Sequence, residues 1–144
     1  MLIPSRVEFL KTARRGDLVP IYREILADRL TPVSAFEKIA GDRNSFLLES
    51  VEGGERLARY SFLGSDPFLL LSSKGSSATL IEGGKSRQIE IEPGSDALDL
   101  MKKILGRYRV VQTEGLPKFC GGAVGFISYD MVRHFEDLPR VEWS

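Results

Sequence analysis

Apolar positions along the chain fall into helical spacing at its two ends and strand spacing in its middle. Ser5-Arg6-Val7-Glu8 is a capping box, and Phe9, Leu10 and Ala13 follow at helical intervals until Gly16 and Asp17 stop the helix. Leu18 to Ile25 is apolar but interrupted by Pro20, which predicts an edge strand. Thr31 and Pro32 then supply a cap and a first helical residue, with Val33, Phe36 and Ile39 on one face before Gly41.

From residue 45 the period changes. Ser45 to Val51 reads as a strand, Gly53-Gly54 as a turn and Leu57 to Leu63 as the returning strand. Asp66-Pro67 breaks the chain ahead of a third strand, Phe68 to Ser73. Ser77 to Ile81 and Lys85 to Ile91 form a hairpin through Glu82-Gly83-Gly84. In its second arm Ile89 and Ile91 alternate with Glu90 and Glu92, which predicts one packed face and one wet face. Pro93-Gly94 ends the strands. Ser95 caps a helix with Leu98, Met101, Ile104 and Leu105 as its apolar stripe and Lys102, Lys103 and Arg107 near its C-terminus.

A polar loop from Thr113 to Pro117 leads into a glycine-rich apolar strand, Phe119 to Asp130, and Met131 to Glu136 begins a helix. Runs of strands with helices at the edges predict an α+β fold, largely antiparallel, with flanking helices. There is no internal repeat. The chain stops in a polar loop just after an apolar strand suited to a sheet interior, which reads as a truncation.

Composition narrows the function. The 144 residues carry twenty basic and twenty acidic side chains with no basic stripe, so nucleic acid is not an expected partner. Apolar residues at 42% and charged ones at 28% are ordinary for a globular domain. Only Leu2 and Ile3 precede Pro4 as apolar residues, too few for a secretory signal, and no stretch is long enough to span a membrane. With Cys120 alone, no internal disulfide can form, and a cytoplasmic location is expected.

Catalytic groups are scarce. His134 and Cys120 are the only histidine and cysteine, which leaves no zinc spacing and no Ser-His-Asp set. His134 reads as an exposed helix residue and Cys120 as a small buried filler. Gly121-Gly122-Ala123-Val124-Gly125 lacks the dinucleotide spacing and does not open a helix. Its glycines instead mark a bulge or a close approach to the backbone.

Phe46 to Val51 carries more information. Strand alternation places Phe46, Leu48 and Ser50 on one face and Leu47, Glu49 and Val51 on the other. Glu49 between two apolar residues is costly to bury without a cationic or hydrogen-bonding partner. Two readings stand: a sheet-edge carboxylate reaching water with Ser50 bonded to backbone, or the acceptors of a ligand site. Arg56, Arg59, Tyr60 and Ser61 return alongside. Acceptors for an ammonium, a cation for a carboxylate and an apolar slot together suit an amino-acid zwitterion.

Leu47-Leu48-Glu49-Ser50, followed by Gly53-Gly54-Glu55-Arg56-Leu57-Ala58-Arg59-Tyr60-Ser61-Phe62-Leu63-Gly64, resembles the feedback-inhibitor motif of anthranilate synthase component I. Val19 to Asp28 with Thr31 to Phe36 is similar to that family's N-terminal segment. Gly121 to Asp130, with Arg133 and Glu136, resembles the glycine-rich strand shared by chorismate-utilising enzymes.

The resemblance covers nearly the whole chain. It implies an N-terminal regulatory and scaffold domain, residues 1–144, of an enzyme that makes anthranilate and pyruvate from chorismate. A glutamine amidotransferase partner, component II, would supply ammonia, and Mg²⁺ would hold the substrate carboxylate. On this chain the effector, L-tryptophan, would meet Leu48, Glu49 and Ser50, with Arg59, Tyr60 and Ser61 lining the same pocket. The metal ligands and acid-base groups would lie in a larger C-terminal part, which would also complete the pocket. The resemblance therefore implies no catalytic residue, no metal and no cofactor in this segment, and no turnover by it alone. Two alternatives remain: component I of aminodeoxychorismate synthase, with tryptophan as a fixed ligand, and a free-standing amino-acid sensor.

Overall fold

The computed structural model describes residues 1–41, 44–49, 60–117, 119–134 and 136, with the backbone alone at 130, 133 and 134. The fold is α+β, and its strands pair antiparallel in two sheets.

Local sequence signals set the helix starts. In α1 (Arg6–Thr12) Glu8 N–H donates to Ser5 Oγ, and the Glu8 carboxylate accepts from the Ser5 N–H, so two amides that the helix cannot satisfy are bonded reciprocally. That bonding holds the Glu8 carboxyl below its ordinary range, the Ser5 side chain being the first cause and its N–H the second. In α2 (Pro32–Ile39) Thr31 plays the same part with Ser34, and Pro32 takes the first helical position. In α3 (Ala97–Leu105) the cap is Asp96 and not Ser95. Its carboxylate accepts from the N–H groups of Leu98 and Asp99, at 2.7 and 2.9 Å, which a neighbouring serine one residue earlier could not reach in register.

The first sheet pairs β1 (Phe46–Glu49) with β2 (Ser61–Gly64), and α2 lies against both strands. The second orders β3 (Leu69–Lys74), β4 (Ser77–Glu82) and β5 (Lys85–Glu90) as a meander. Gly83 and Gly84 form a two-residue turn with φ of 56° and 76°, conformations in which a Cβ would clash with its own backbone. As the alternation predicts, Ile89 and Ile91 are half-buried while Glu90 and Glu92 are exposed. Among the described residues the side chains most completely removed from water are Ala78 and Leu80, alternate residues on the central strand β4, and Ile104 on α3. Burying one such leucine contributes about 1.5–3 kcal/mol. On α3 Ile104 is buried and Leu98 and Met101 are half-buried as expected, with Ala97 and Leu100 beside them, whereas Leu105 faces solvent at 42% exposure.

Two long-range links tie the end of α3 into the fold. Tyr108 donates its hydroxyl to Glu82 at the end of β4 at 3.0 Å and sets its ring at 82° to that of Phe68. The hydrogen bond to Glu82, aided by burial, raises the Tyr108 pKa, because it favours the neutral phenol. Beyond it, the segment 109–111 runs beside 16–18: Leu18 and Val110 form a parallel bridge, and Val111 N–H donates to Leu18 at 2.8 Å.

Several expected elements take another form. Leu18 to Ile25 is not a continuous edge strand. Among the described residues it makes the bridge to Val110 and a second, antiparallel one between Ile3 and Tyr22. Its backbone finds partners pointwise because Pro20 cannot donate to a ladder. The glycine-rich segment does not pair as a strand between Phe119 and Ser128, since its glycines allow bends that a ladder forbids. A 3₁₀ helix, Tyr129–His134, replaces the helix start expected at Met131. Cys120 is exposed and not a buried filler, because the bends turn it outward. The Gly53-Gly54 turn, residues 57–59 of the return strand, and the chain from 137 onward lie outside the described residues, as does the His134 side chain.

Candidate functional site

Strand register decides which residues share a face. Leu48 stands opposite Phe62, and Glu49 opposite Ser61. Directly opposed residues of an antiparallel pair project to the same side, so Leu48 and Phe62 form one face and Glu49 and Ser61 the other. Tyr60 precedes β2 by one residue and follows Phe62's side: their rings tilt at 31° with 6.1 Å between centroids.

The glycine-rich segment folds over the Leu48–Phe62 face. Phe119 places its ring at 86° to that of Phe62, with 5.2 Å between centroids. Gly122, at φ 145°, makes this approach feasible. A Cβ there would stand 3.3 Å from the Phe119 ring, on a backbone that side-chain-bearing residues rarely adopt. The result is an open apolar slot of about 370 Å³ lined by Leu48, Phe62, Phe119, Ala123, Val124 and Gly125. It is open to solvent: Leu48, Phe119 and Val124 on its lining are all exposed.

Among the described residues no charged side chain lines the slot. The nearest carboxylate in sequence is Glu49, exposed on the opposite side of β1 beside Leu48. Of the six residues that the sequence singles out, the structure brings Leu48 and Tyr60 to the slot's face and sets Glu49 and Ser61 on the other. Ser50 and Arg59 lie outside the described residues. Sequence reasoning did not find Phe62, Phe119, Ala123, Val124 and Gly125 as a wall. The one usable signal was the expectation that glycines mark a close approach to the backbone.

A second, smaller hollow of about 110 Å³ lies between the end of β5 and α3, beside Glu90, Glu92, Asp96 and Asp99. Asp96 and Asp99 are already engaged in the helix cap, and Glu92 sits 3.8 Å from Lys103. Among the described residues no group of three or more His, Cys, Asp and Glu side chains could hold a metal, so the magnesium that the resemblance implies has no fitting donor set on them. Among the same residues no helix is long and apolar enough to cross a membrane.

The described fold is α+β, with an open apolar hollow on one face of the first strand pair. The chain is 39% identical over 142 residues to anthranilate synthase component 1 of Acetivibrio thermocellus, covering 98% of this chain and 28% of that protein. The component 1 protein of Synechocystis is 38% identical over 143 residues, 98% of this chain and 27% of its own length. The chloroplastic anthranilate synthase alpha subunit 2 of Arabidopsis thaliana is 36% identical over 137 residues, 90% of this chain and 22% of its own length. The chain belongs to the anthranilate synthase component 1 family and spans about a quarter of the length of these relatives. No family profile matches it, and no solved structure does.

Proposed function

We propose that this chain is the N-terminal, effector-sensing and scaffold part of an anthranilate synthase component 1, the enzyme that converts chorismate and glutamine-derived ammonia to anthranilate and pyruvate in tryptophan biosynthesis. The observation that carries the reading is the pairing of the Leu48-Glu49 strand with the Ser61-Phe62 strand under an aromatic slot. The effector is L-tryptophan, the pathway's end product. Its indole lies against Leu48 and Tyr60, and the resemblance gives its ammonium to Glu49 and Ser50 and its carboxylate to Arg59. Glu49 and Ser61 reach it from the other face of the strand pair only where β1 ends.

Chemistry belongs to the remainder of the family-length protein, with Mg²⁺ and the amidotransferase component II as its cofactor and partner. Inhibition is a coupling free energy: tryptophan binds one global state more tightly and thereby lowers affinity for chorismate.

Calorimetric titration of the chain with L-tryptophan, against L-phenylalanine as control, tests the reading. Saturable heat for tryptophan alone supports it. Absence of heat overturns a sensor site held by these residues. In the family-length protein, Ser50→Phe should leave turnover near normal and abolish tryptophan sensitivity, and undiminished sensitivity would remove Ser50 from the site.

A further inference from the structure

We infer that the surface around α3 docks a second copy of this chain, with the basic end of each copy lying over the acidic end of the other about a twofold axis.

The crossing of Gly16 and Arg109 gathers cations that lie far apart in sequence. A Cβ on Gly16 would press on the Arg109 carbonyl oxygen, so Arg14 and Arg15 reach the same crossing as Arg107 and Arg109. All four are exposed, and Lys102 and Lys103, exposed in the last turn of α3, extend the group. The carboxylate at the crossing, Asp17, is engaged by Arg109. Among the described residues Arg14, Arg15 and Arg107 have no ion pair.

The other end of α3 has the opposite sign. Glu90, Glu92, Asp96 and Asp99 border the hollow where β5 ends and the helix begins. The helix has nine residues, which puts the two poles about 13 Å apart at roughly 1.5 Å per residue. Its macrodipole accounts for Asp99, Lys102 and Lys103 near its ends. It does not account for Arg14 and Arg15, which another segment delivers, or for Glu90 and Glu92 at the exit of β5.

This pattern selects the occupant. A nucleic acid or an anionic bilayer presents one sign over a longer span and would meet the acidic pole with repulsion. A second copy turned about a twofold axis sets acid over base at both ends, because such a contact pairs each surface with its own complement. Leu18, Leu105 and Val110 are exposed beside the arginines and supply apolar area to the contact. Twenty acidic and twenty basic side chains leave no net charge to hold two copies apart.

Sedimentation equilibrium of the full chain tests the contact. A monomer–dimer equilibrium is expected that weakens at least about tenfold between about 0.1 and about 1 M sodium chloride, as the Debye length falls from about 10 to about 3 Å. A monomer at every concentration, or association that salt leaves unchanged or strengthens, would overturn the inference. Charge reversal then locates the contact. Arg14→Glu with Arg15→Glu in one variant, and Glu90→Lys with Glu92→Lys in another, alter exposed side chains only, and circular dichroism checks that both stay folded. Each should be monomeric alone, and an equal mixture should regain the dimer because every reversed pole then faces its opposite. Variants that dimerise alone as the unaltered chain does, or that stay monomeric on mixing, would sink the inference.

Discussion

The rings of Phe62 and Phe119 meet at 86° with their centroids 5.2 Å apart, although three strands and a helix separate them in sequence. This contact joins the first hairpin to the glycine-rich segment and creates the slot between them. Perpendicular aromatic pairs of this geometry contribute about 0.5–1.5 kcal/mol beyond the area they bury.

That contribution can be isolated. A double-mutant cycle with Phe62→Leu and Phe119→Leu, followed by urea unfolding with circular dichroism, should give a coupling of about 0.5–1.5 kcal/mol. Additive losses would mean that the two rings stabilise the chain independently.

Gly16 sits where the N-terminal segment crosses the chain beyond α3. A Cβ at that position would press on the carbonyl oxygen of Arg109 and lie 2.8 Å from Val111 Cγ2. The same carbonyl accepts the N–H groups of Asp17 and Leu18 at 2.8 and 3.2 Å. Gly16→Ala must therefore open the seam, at a cost of about 1–3 kcal/mol typical of overpacking. Unchanged thermal stability would show that the seam contributes little.

Asp17 gives that seam a pH dependence. Its carboxylate accepts from the Arg109 side chain at 3.3 Å and from the Arg109 N–H at 3.2 Å, and these bonds, in that order, hold its pKa below the ordinary value. A depressed folded pKa contributes stability above the unfolded value, about 3.9, that is lost as pH falls through the folded value. The melting temperature should fall more steeply on acidification below about pH 4 in the native chain than in Asp17→Asn. The pair is exposed, so added salt should shrink the difference. Parallel acid limbs in the two proteins would exclude the latch.

Surface chemistry predicts self-association. Phe126 and Tyr129, at 95% and 85% exposed, stand beside Ile127. Such an apolar surface lowers its free energy by being covered. Light scattering should show an apparent mass that rises with concentration, and a constant monomer mass would count against that face as a contact surface.

Much of the local architecture was legible in the sequence because its causes are local. A serine three residues before a glutamate caps α1, Thr31-Pro32 opens α2, and Gly83-Gly84 turns the second hairpin, each through groups within four residues of one another. The period of apolar residues divided strands from helices in β3 to β5 and in the three α-helices, but it overcalled Leu18–Ile25 and the glycine-rich segment as strands. The choice between Ser95 and Asp96 as the α3 cap was not legible, since both residue types can accept the same amides and only backbone direction selects one.

What the tertiary structure alone decided is which distant residues meet. Alternation assigned Leu48 and Glu49 to opposite faces, but only the register put Phe62 against the first and Ser61 against the second. The glycines announced a close approach without naming the partner. That partner is the ring of Phe119, turned back by Gly122 against Phe62, because an unpaired segment finds its position through side-chain burial and not through a hydrogen-bond ladder. The sequence by itself determined the family, the caps of α1 and α2 and the alternation along the strands. The slot, and the seam of Asp17 with Arg109, exist only once segments far apart in the chain are packed together.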